Sequence, residues 1–260
     1  MKYVEWKRVG LNGQIAELIL NRPNKLNAFD SEMAKKILTA SQILSKSDAR
    51  AVLVTSSTPR AFCTGADLKE RNELSEKEWE MQHELFREMF ATISSIKQPV
   101  IAVVDGYALA GGFELVLNCD FLIAADTAQF GLPEVTRGIM PGGGGTRLLS
   151  KRIPVHRAKE WICTGRIVSA YEADAAGLLN RITSPDLLYK TALDFAECIA
   201  KNAPVAVQQA KEATDQLFVL NNEKAKRIEQ EYYKSCLSTL DRLEGVRAFV
   251  EKRSPKFLGK

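Results

Sequence analysis

The sequence predicts an α/β fold with a helical C-terminal region. Three observations carry this. Short apolar runs rich in β-branched residues recur along the first half of the chain, segments of helical period fall between them, and after about residue 187 strand-like runs disappear. Strand alternating with helix is the pattern of an α/β layer architecture.

The strand-like runs are Ile15–Leu20, Ala51–Ser56, Val100–Val104 and Phe121–Ala125. None alternates cleanly between apolar and polar, which marks strands buried on both faces. A first helix is predicted over 31–44, where Met33, Ile37, Ala40 and Leu44 share one face and Asp30 is placed to cap it. A second is predicted over 75–96, with Ser75 and Glu78 in capping-box spacing. A short helix is expected over 113–118. Further helices are expected over 187–202, 204–220 and 223–240, with Pro204 acceptable in a first turn. Asp241 and Glu244 have the spacing of a capping box opening a last helix. The expected division is an α/β core over 1–190 and a helical region over 191–260.

A chain of 260 residues, 45% hydrophobic and 26% charged, has the composition of a globular protein with a large core. Its net charge of +4 is too small to imply nucleic-acid binding by itself, and suits a protein that meets a polyanionic small ligand. The five cysteines are scattered and none forms a C-x-x-C pair, so no disulfide framework or zinc site is read from them. The N-terminus has no apolar signal-peptide core and no apolar run approaches the ~20 residues of a membrane span. A reducing, soluble, cytoplasmic setting is the expectation.

The chemistry concentrates in Leu109-Ala110-Gly111-Gly112-Phe113-Glu114-Leu115, which follows the Val100–Val104 run. Glycines let backbone approach a ligand without a Cβ in the way. The unpaired N–H groups and positive dipole end of a helix start can hold a developing oxyanion. A carboxylate beside that hole is placed to move a proton. Glu134, in Gly131-Leu132-Pro133-Glu134, supplies a second carboxylate twenty residues downstream. The run Pro141-Gly142-Gly143-Gly144-Gly145-Thr146-Arg147 lacks the lysine of a phosphate loop, and no dinucleotide-binding fingerprint is present. The four glycines are expected to shape a pocket wall and the start of a helix. Cys63 lies in a nearby loop, but neither His83 nor His156 falls in a motif that would pair with it.

These segments resemble the crotonase superfamily, and within it the enoyl-CoA hydratases. The same resemblance extends to Asn21-Arg22-Pro23-Asn24-Lys25-Leu26-Asn27-Ala28, to Ala61-Phe62-Cys63-Thr64-Gly65-Ala66-Asp67-Leu68-Lys69-Glu70, and to Asp241-Arg242-Leu243-Glu244-Gly245 with Phe249-Val250-Glu251-Lys252-Arg253. Four separated motifs in the family's order cover nearly the whole chain. The resemblance implies a spiral of β-β-α units and reversible addition of water to a trans-2-enoyl-CoA, as in the β-oxidation of fatty acids. Coenzyme A then arrives as part of the substrate, and no separate cofactor or metal is expected.

By the same resemblance, the backbone N–H groups of Ala66 and Gly111 form the oxyanion hole. Glu114 activates water and Glu134 delivers a proton to C2. Lys25, Leu26, Ala66, Asp67, Leu68 and Gly142 are expected to border the substrate. Phe249 and Lys252 are expected to reach it from a neighbouring subunit of a trimer or hexamer. Phe113 is bulkier than usual for the family beside Glu114, and is expected either to narrow the acyl channel or to pack in the core. Arg137 is expected to point outward. Alternatives are a 3-methylglutaconyl-CoA hydratase, an enoyl-CoA isomerase and, from another class, an RNA-binding protein that would use Lys35, Lys36 and Lys46.

Overall fold

The computed structural model describes residues 3–217 and 222–260. The chain begins with two antiparallel strands, β1 (Val4–Val9) and β2 (Ile15–Leu20), and the helix α1 (Ser31–Ser45). Three turns of one repeating unit follow. β3 (Ala51–Ser56) and β4 (Ala61–Cys63) lead into α2 (Leu68–Glu73) and α3 (Glu76–Ser94). β5 (Val100–Val104) and β6 (Tyr107–Leu109) lead into α4 (Gly111–Leu117). β7 (Phe121–Ala125) and β8 (Gln129–Gly131) lead, through a 3-10 turn at Pro133–Arg137, into α5 (Gly145–Arg152) and α6 (Val155–Thr164).

Among the described residues the strands form two sheets. One has the order β1-β2-β3-β5-β7-β10, with β10 at Arg181–Thr183, and the other the order β4-β6-β8-β9, with β9 at Ile167–Ser169. Each turn therefore gives its first strand to the large sheet and its second to the small one. This is the β-β-α spiral that the family resemblance implies. The inner pairings β2–β3, β3–β5, β5–β7, β4–β6 and β6–β8 are all parallel.

The inner strands of the large sheet, β2, β3, β5 and β7, are buried on both faces, as their mainly apolar sequences require, while the edge strand β1 is largely exposed. Ala16, Leu18, Val52, Val54, Ala102 and Leu122 face the main core with Met33, Ile37 and Ile93 of α1 and α3. Their strand neighbours Ile15, Leu53, Ile101 and Ile123 face the other way, against Leu188, Ala192 and Ala196 of α8 (Pro185–Ala200). Between β9 and β10 lies the short helix α7 (Ala170–Ala175). After α8 come α9 (Pro204–Leu217), α10 (Asn222–Leu237) and α11 (Leu240–Val250). The expected helix over 204–220 thus holds as far as Leu217, and 218–220 lie outside the described residues.

Local signals set most helix starts. Asp30 accepts from the Met33 N–H, and Ser75 and Glu78 form the reciprocal capping box. The last helix corrects the sequence expectation. Its cap is Thr239, which accepts from the Arg242 N–H, so Asp241 is already in the first turn. The Asp241 carboxylate instead accepts from the Leu258 and Gly259 N–H groups and folds the C-terminal tail back. Glu244 pairs with Arg253 rather than with a cap.

The two sheets' connections are pressed together at one point. A Cβ built on Gly112 would stand 2.0 Å from the Cys63 carbonyl oxygen, so α4 starts in direct backbone contact with the end of β4. Only glycine has room there. Gly112→Ala is expected to lower stability by about 1–3 kcal/mol despite alanine's better helix propensity, because the contact is backbone on both sides and cannot relax by a rotamer change. Chemical denaturation checks this; an equally stable Gly112→Ala protein would contradict the close contact.

Candidate active site

Because β4, β6 and β8 run parallel, their C-terminal ends lie side by side. The carboxyl ends of parallel strands are where α/β proteins collect ligand-binding groups. Here they deliver three loops in a row. The loop after β4 carries Gly65, Ala66 and Asp67, the turn after β6 carries Ala110 and Gly111, and the turn after β8 carries Glu134. The spacing between Glu114 and Glu134 is thus close to one turn of the spiral.

The first two loops touch. A Cβ on Gly65 would lie 3.0 Å from the Gly111 nitrogen. Ala110 donates the last ladder bond of β6, from its N–H to the Gly131 carbonyl, and then turns with φ 50 and ψ −128. That backbone conformation strongly favours glycine and costs a residue with a Cβ about 1–3 kcal/mol. The turn leaves the Gly111 N–H at the helix start, where no intrahelical acceptor exists. Neither the Ala66 nor the Gly111 N–H has an acceptor among the described backbone hydrogen bonds.

The Ala66 loop is held from the other side. The Phe29 N–H donates to the Gly65 carbonyl and the Asp67 N–H to the Phe29 carbonyl, a parallel bridge that brackets Ala66. Arg22 joins the same two segments by pairing with Asp30 and Asp67 at 2.9 Å each, and by donating to the Ala28 carbonyl. Burial works to raise the Asp67 carboxyl, but Arg22 and the Lys69 N–H outweigh it and hold the group below its ordinary range. The Asp67 side chain therefore caps α2 and anchors it to Arg22.

Both glutamates are buried, and their partners differ. The Gly143 and Gly145 N–H groups donate to Glu114 Oε1 at 2.7 and 2.8 Å. Asn118 ties the same glycine loop to α4, donating to the carbonyls of Glu114 and Gly143. Burial raises the Glu114 carboxyl, and the two amides oppose that rise. Glu134 has no such pair of donors: its own backbone N–H is the one amide that works against burial, and its Oε2 is sealed without a partner. Burial, reinforced by the nearby Glu114 charge, pushes Glu134 up to about 7. Around neutrality, then, Glu114 is the better-stabilised anion and Glu134 the ready proton donor.

The two carboxylates open on one cavity of about 430 Å³. Lys25, Ala66, Asp67, Leu68, Gly111 and Gly142 line it as well. Leu26, Phe249 and Lys252 do not. Leu26 has φ 51 and closes the 3-10 turn at Pro23–Lys25, one residue past the lining Lys25. Phe249 and Lys252 lie on and just after α11, where Phe249 is exposed. Phe113 packs into the core against Phe130 and does not narrow the cavity. Arg137 is exposed and donates to the Pro133 carbonyl and to Thr136, but contrary to the outward expectation it also lines the cavity, where its charge works against burial to lower the Glu134 carboxyl. Cys63 is fully buried, its thiol pushed up to about 12 by that burial, which removes it as a nucleophile. The sequence reading missed the opposite wall, formed by Arg71 of α2 and by Trp79, His83, Phe86 and Phe90 of α3. Its only sequence signal is the aromatic spacing along α3.

The family model described as enoyl-CoA hydratase/isomerase matches residues 10–260. The chain belongs to this family. It is 40% identical over 256 residues to the mouse (Mus musculus) enoyl-CoA hydratase domain-containing protein 2, mitochondrial, covering 96% of this chain and 86% of that one. It is 37% identical over 242 residues to the short-chain-enoyl-CoA hydratase of Clostridium acetobutylicum, covering 93% of each. The crystal structure of an enoyl-CoA hydratase from Bacillus anthracis superposes with a TM-score of 0.96 at 37% identity over the full length of both chains. Among the described residues no helix is long and apolar enough to cross a membrane.

The Glu134 carboxyl gives a stability prediction. It ionises near 4.5 when unfolded and near 7 when folded. Between those values the unfolded chain releases a proton that the fold retains, so this group's contribution falls as pH rises through the window. Glu134→Gln is expected to flatten the decline in melting temperature from pH 4.5 to 7 and to be more stable than the parent at pH 8. An unchanged profile would contradict a buried, proton-retaining Glu134.

Proposed function

We propose that this protein hydrates trans-2-enoyl-CoA thioesters. The observation that carries the reading is the pairing of two buried carboxylates of unlike environment with two unpartnered amides on one cavity. The thioester oxygen accepts from the Ala66 and Gly111 N–H groups. As water adds at C3, negative charge builds on that oxygen and the amides stabilise it. Glu114, fixed by Gly143 and Gly145, takes a proton from the water, and Glu134 gives its proton to C2. The proton then returns from Glu114 to Glu134 before the next turnover, and the reverse sequence expels water. Coenzyme A enters as part of the substrate and no separate cofactor is needed.

Other features support finer parts of this reading. The exposed lysines Lys25 and Lys69 at the cavity are suited to the phosphates of coenzyme A. Both glutamates are retained, which favours hydration over an isomerase that shuttles a single proton. The RNA-binding alternative draws less support, because Lys36 is paired with Glu32 and lies over the Tyr3 ring. Leu240, Leu243, Val246, Phe249 and Val250 leave an exposed apolar set along α11, and we assign it to trimer or hexamer assembly, in which Phe249 and Lys252 approach a neighbour's substrate. A cytoplasmic place in fatty-acid breakdown fits the bacterial relatives, though other relatives carry mitochondrial names.

Glu114→Gln and Glu134→Gln are each expected to lower kcat for crotonyl-CoA by at least roughly 10²-fold, with the double variant falling short of the product of the two losses. Near-parental turnover in either would remove that residue from the chemistry. In the parent, kcat/KM is expected to decline as pH rises through about 7, where Glu134 loses its proton. An alkaline limb that persists in the residual activity of Glu134→Gln would assign it to another group. Light scattering at micromolar concentration is expected to show a trimer or a dimer of trimers, and a monomer would count against the assembly.

A further inference from the structure

Asn118 is a buried polar side chain that the hydration chemistry does not use directly. It stands one turn after Glu114, at the end of α4, so the two side chains lie on one face of the helix. Its Nδ2 donates to the Glu114 carbonyl at 2.8 Å and to the Gly143 carbonyl at 3.0 Å. Both neighbours of that nitrogen are acceptors, which fixes the way the carboxamide is turned. The Glu114 carbonyl also accepts the Asn118 backbone N–H, so the first bond is not needed to satisfy it. The second bond is different. It crosses from α4 to the glycine loop, and among the described hydrogen bonds it is the one that the Gly143 carbonyl accepts.

Gly143 is therefore held at both ends by one helix. Its N–H donates to Glu114 Oε1 at 2.7 Å, and its carbonyl accepts from Asn118. Phe90 of α3 closes the other side, where a Cβ on Gly143 would stand 2.2 Å from the ring. The second amide on Glu114 Oε1 is held in another way. It belongs to Gly145, the first residue of α5, and that helix carries it. Gly143 lies before α5, next to the exposed Gly142, and has no helix to orient it. Glu114 Oε2 takes no donor among the described hydrogen bonds. The charged and titratable groups around this carboxylate are Glu134 and Arg137 from the turn after β8, His83 of α3 beside Gly142, and Arg147 of α5 beside Gly144. None of them donates to it among the described hydrogen bonds.

We propose that Asn118 is a positioning residue for the catalytic base: it turns the Gly143 peptide so that its N–H points at Glu114 Oε1 and leaves Oε2 for the attacking water. The inference rests on the hydratase reading, in which Glu114 takes a proton from that water. A donor to a carboxylate favours its charged form, and losing the donor lets the proton bind more tightly. Glu114 must be ionised to act as a base, so kcat/KM falls as pH drops through its titration. Without Asn118 that acidic limb moves to higher pH.

Asn118→Leu matches the side chain in size and removes both donors. It is expected to lower kcat for crotonyl-CoA by roughly 10-fold at pH 6 and by less at pH 7.5, the scale of one lost hydrogen bond to a charged group, with little change in KM. The acidic limb of kcat/KM is expected to shift upward. Amide hydrogen exchange, read by NMR, is expected to be slow at Gly143 and Gly145 in the parent, and to quicken at Gly143 alone in the variant. Should Asn118→Leu not fold, Asn118→Ala makes the same comparison without overpacking, and the parent measurement needs no variant. A folded variant with an unmoved acidic limb and unchanged Gly143 exchange would reduce Asn118 to a packing residue and overturn the proposal, as would fast Gly143 exchange in the parent. The two levels fail separately. Near-parental turnover of Glu114→Gln strikes the base itself and the proposal with it. Loss of turnover in Glu114→Gln with an unmoved limb in Asn118→Leu strikes the proposal alone.

Discussion

The structure depends on a backbone-to-backbone contact between two connections, the end of β4 and the start of α4. Gly112 lies against the Cys63 carbonyl, and Gly65 lies against the Gly111 nitrogen. With no side chain between them, the Ala66 and Gly111 amides come from the connections that follow β4 and β6, neighbouring parallel strands of the small sheet. Rigid elements hold such donors at fixed positions, and preorganised donors cost no reorganisation when charge develops. The turn at Ala110 shows what this arrangement demands, because a residue with a Cβ is held there at φ 50. The surrounding ladder bond to Gly131 and the contact with the Gly65 loop keep it in that conformation.

The same contact sets the electrostatics of the glutamates. Starting α4 against β4 buries Glu114 in its first turn, where it must find donors. The glycine loop supplies the Gly143 and Gly145 amides, and a Cβ on Gly143 would stand 2.2 Å from Phe90 and 2.8 Å from Glu114 Oε2. The glycines are therefore a consequence of the carboxylate that they bind and of the aromatic wall behind them. Glu134, one spiral turn later, meets a similar degree of burial without equivalent donors. Two carboxyl groups of one residue type thus acquire different tendencies to hold a proton from their surroundings alone.

Much of this was legible in the sequence. The bounds of β2, β3, β5 and β7 follow from mainly apolar runs without clean alternation, the pattern of strands buried on both faces, whereas the six-residue edge strand β1 is largely exposed and carries no such run. Asp30, Ser75 and Glu78 announce their helices by local hydrogen-bonding chemistry. The strands of the small sheet were not legible, since three-residue segments such as Ala61–Cys63 and Tyr107–Leu109 are too short to show a period. Thr239 was passed over for Asp241 because spacing alone does not reveal that a carboxylate is claimed by Leu258 and Gly259 from the tail. Arg71 was hidden for a similar reason. It follows a polar run and looks like a solvated charge until α3 folds Trp79 and Phe86 against it.

The central claim is that two amides fixed by this loop contact polarise the thioester carbonyl. Infrared spectroscopy of a bound enoyl-CoA analogue, isotopically labelled at the thioester carbon, measures that polarisation directly. The account predicts a carbonyl band at lower frequency in the complex than for the same thioester in water. A band at the solution frequency, in a folded protein saturated with the analogue, would contradict it.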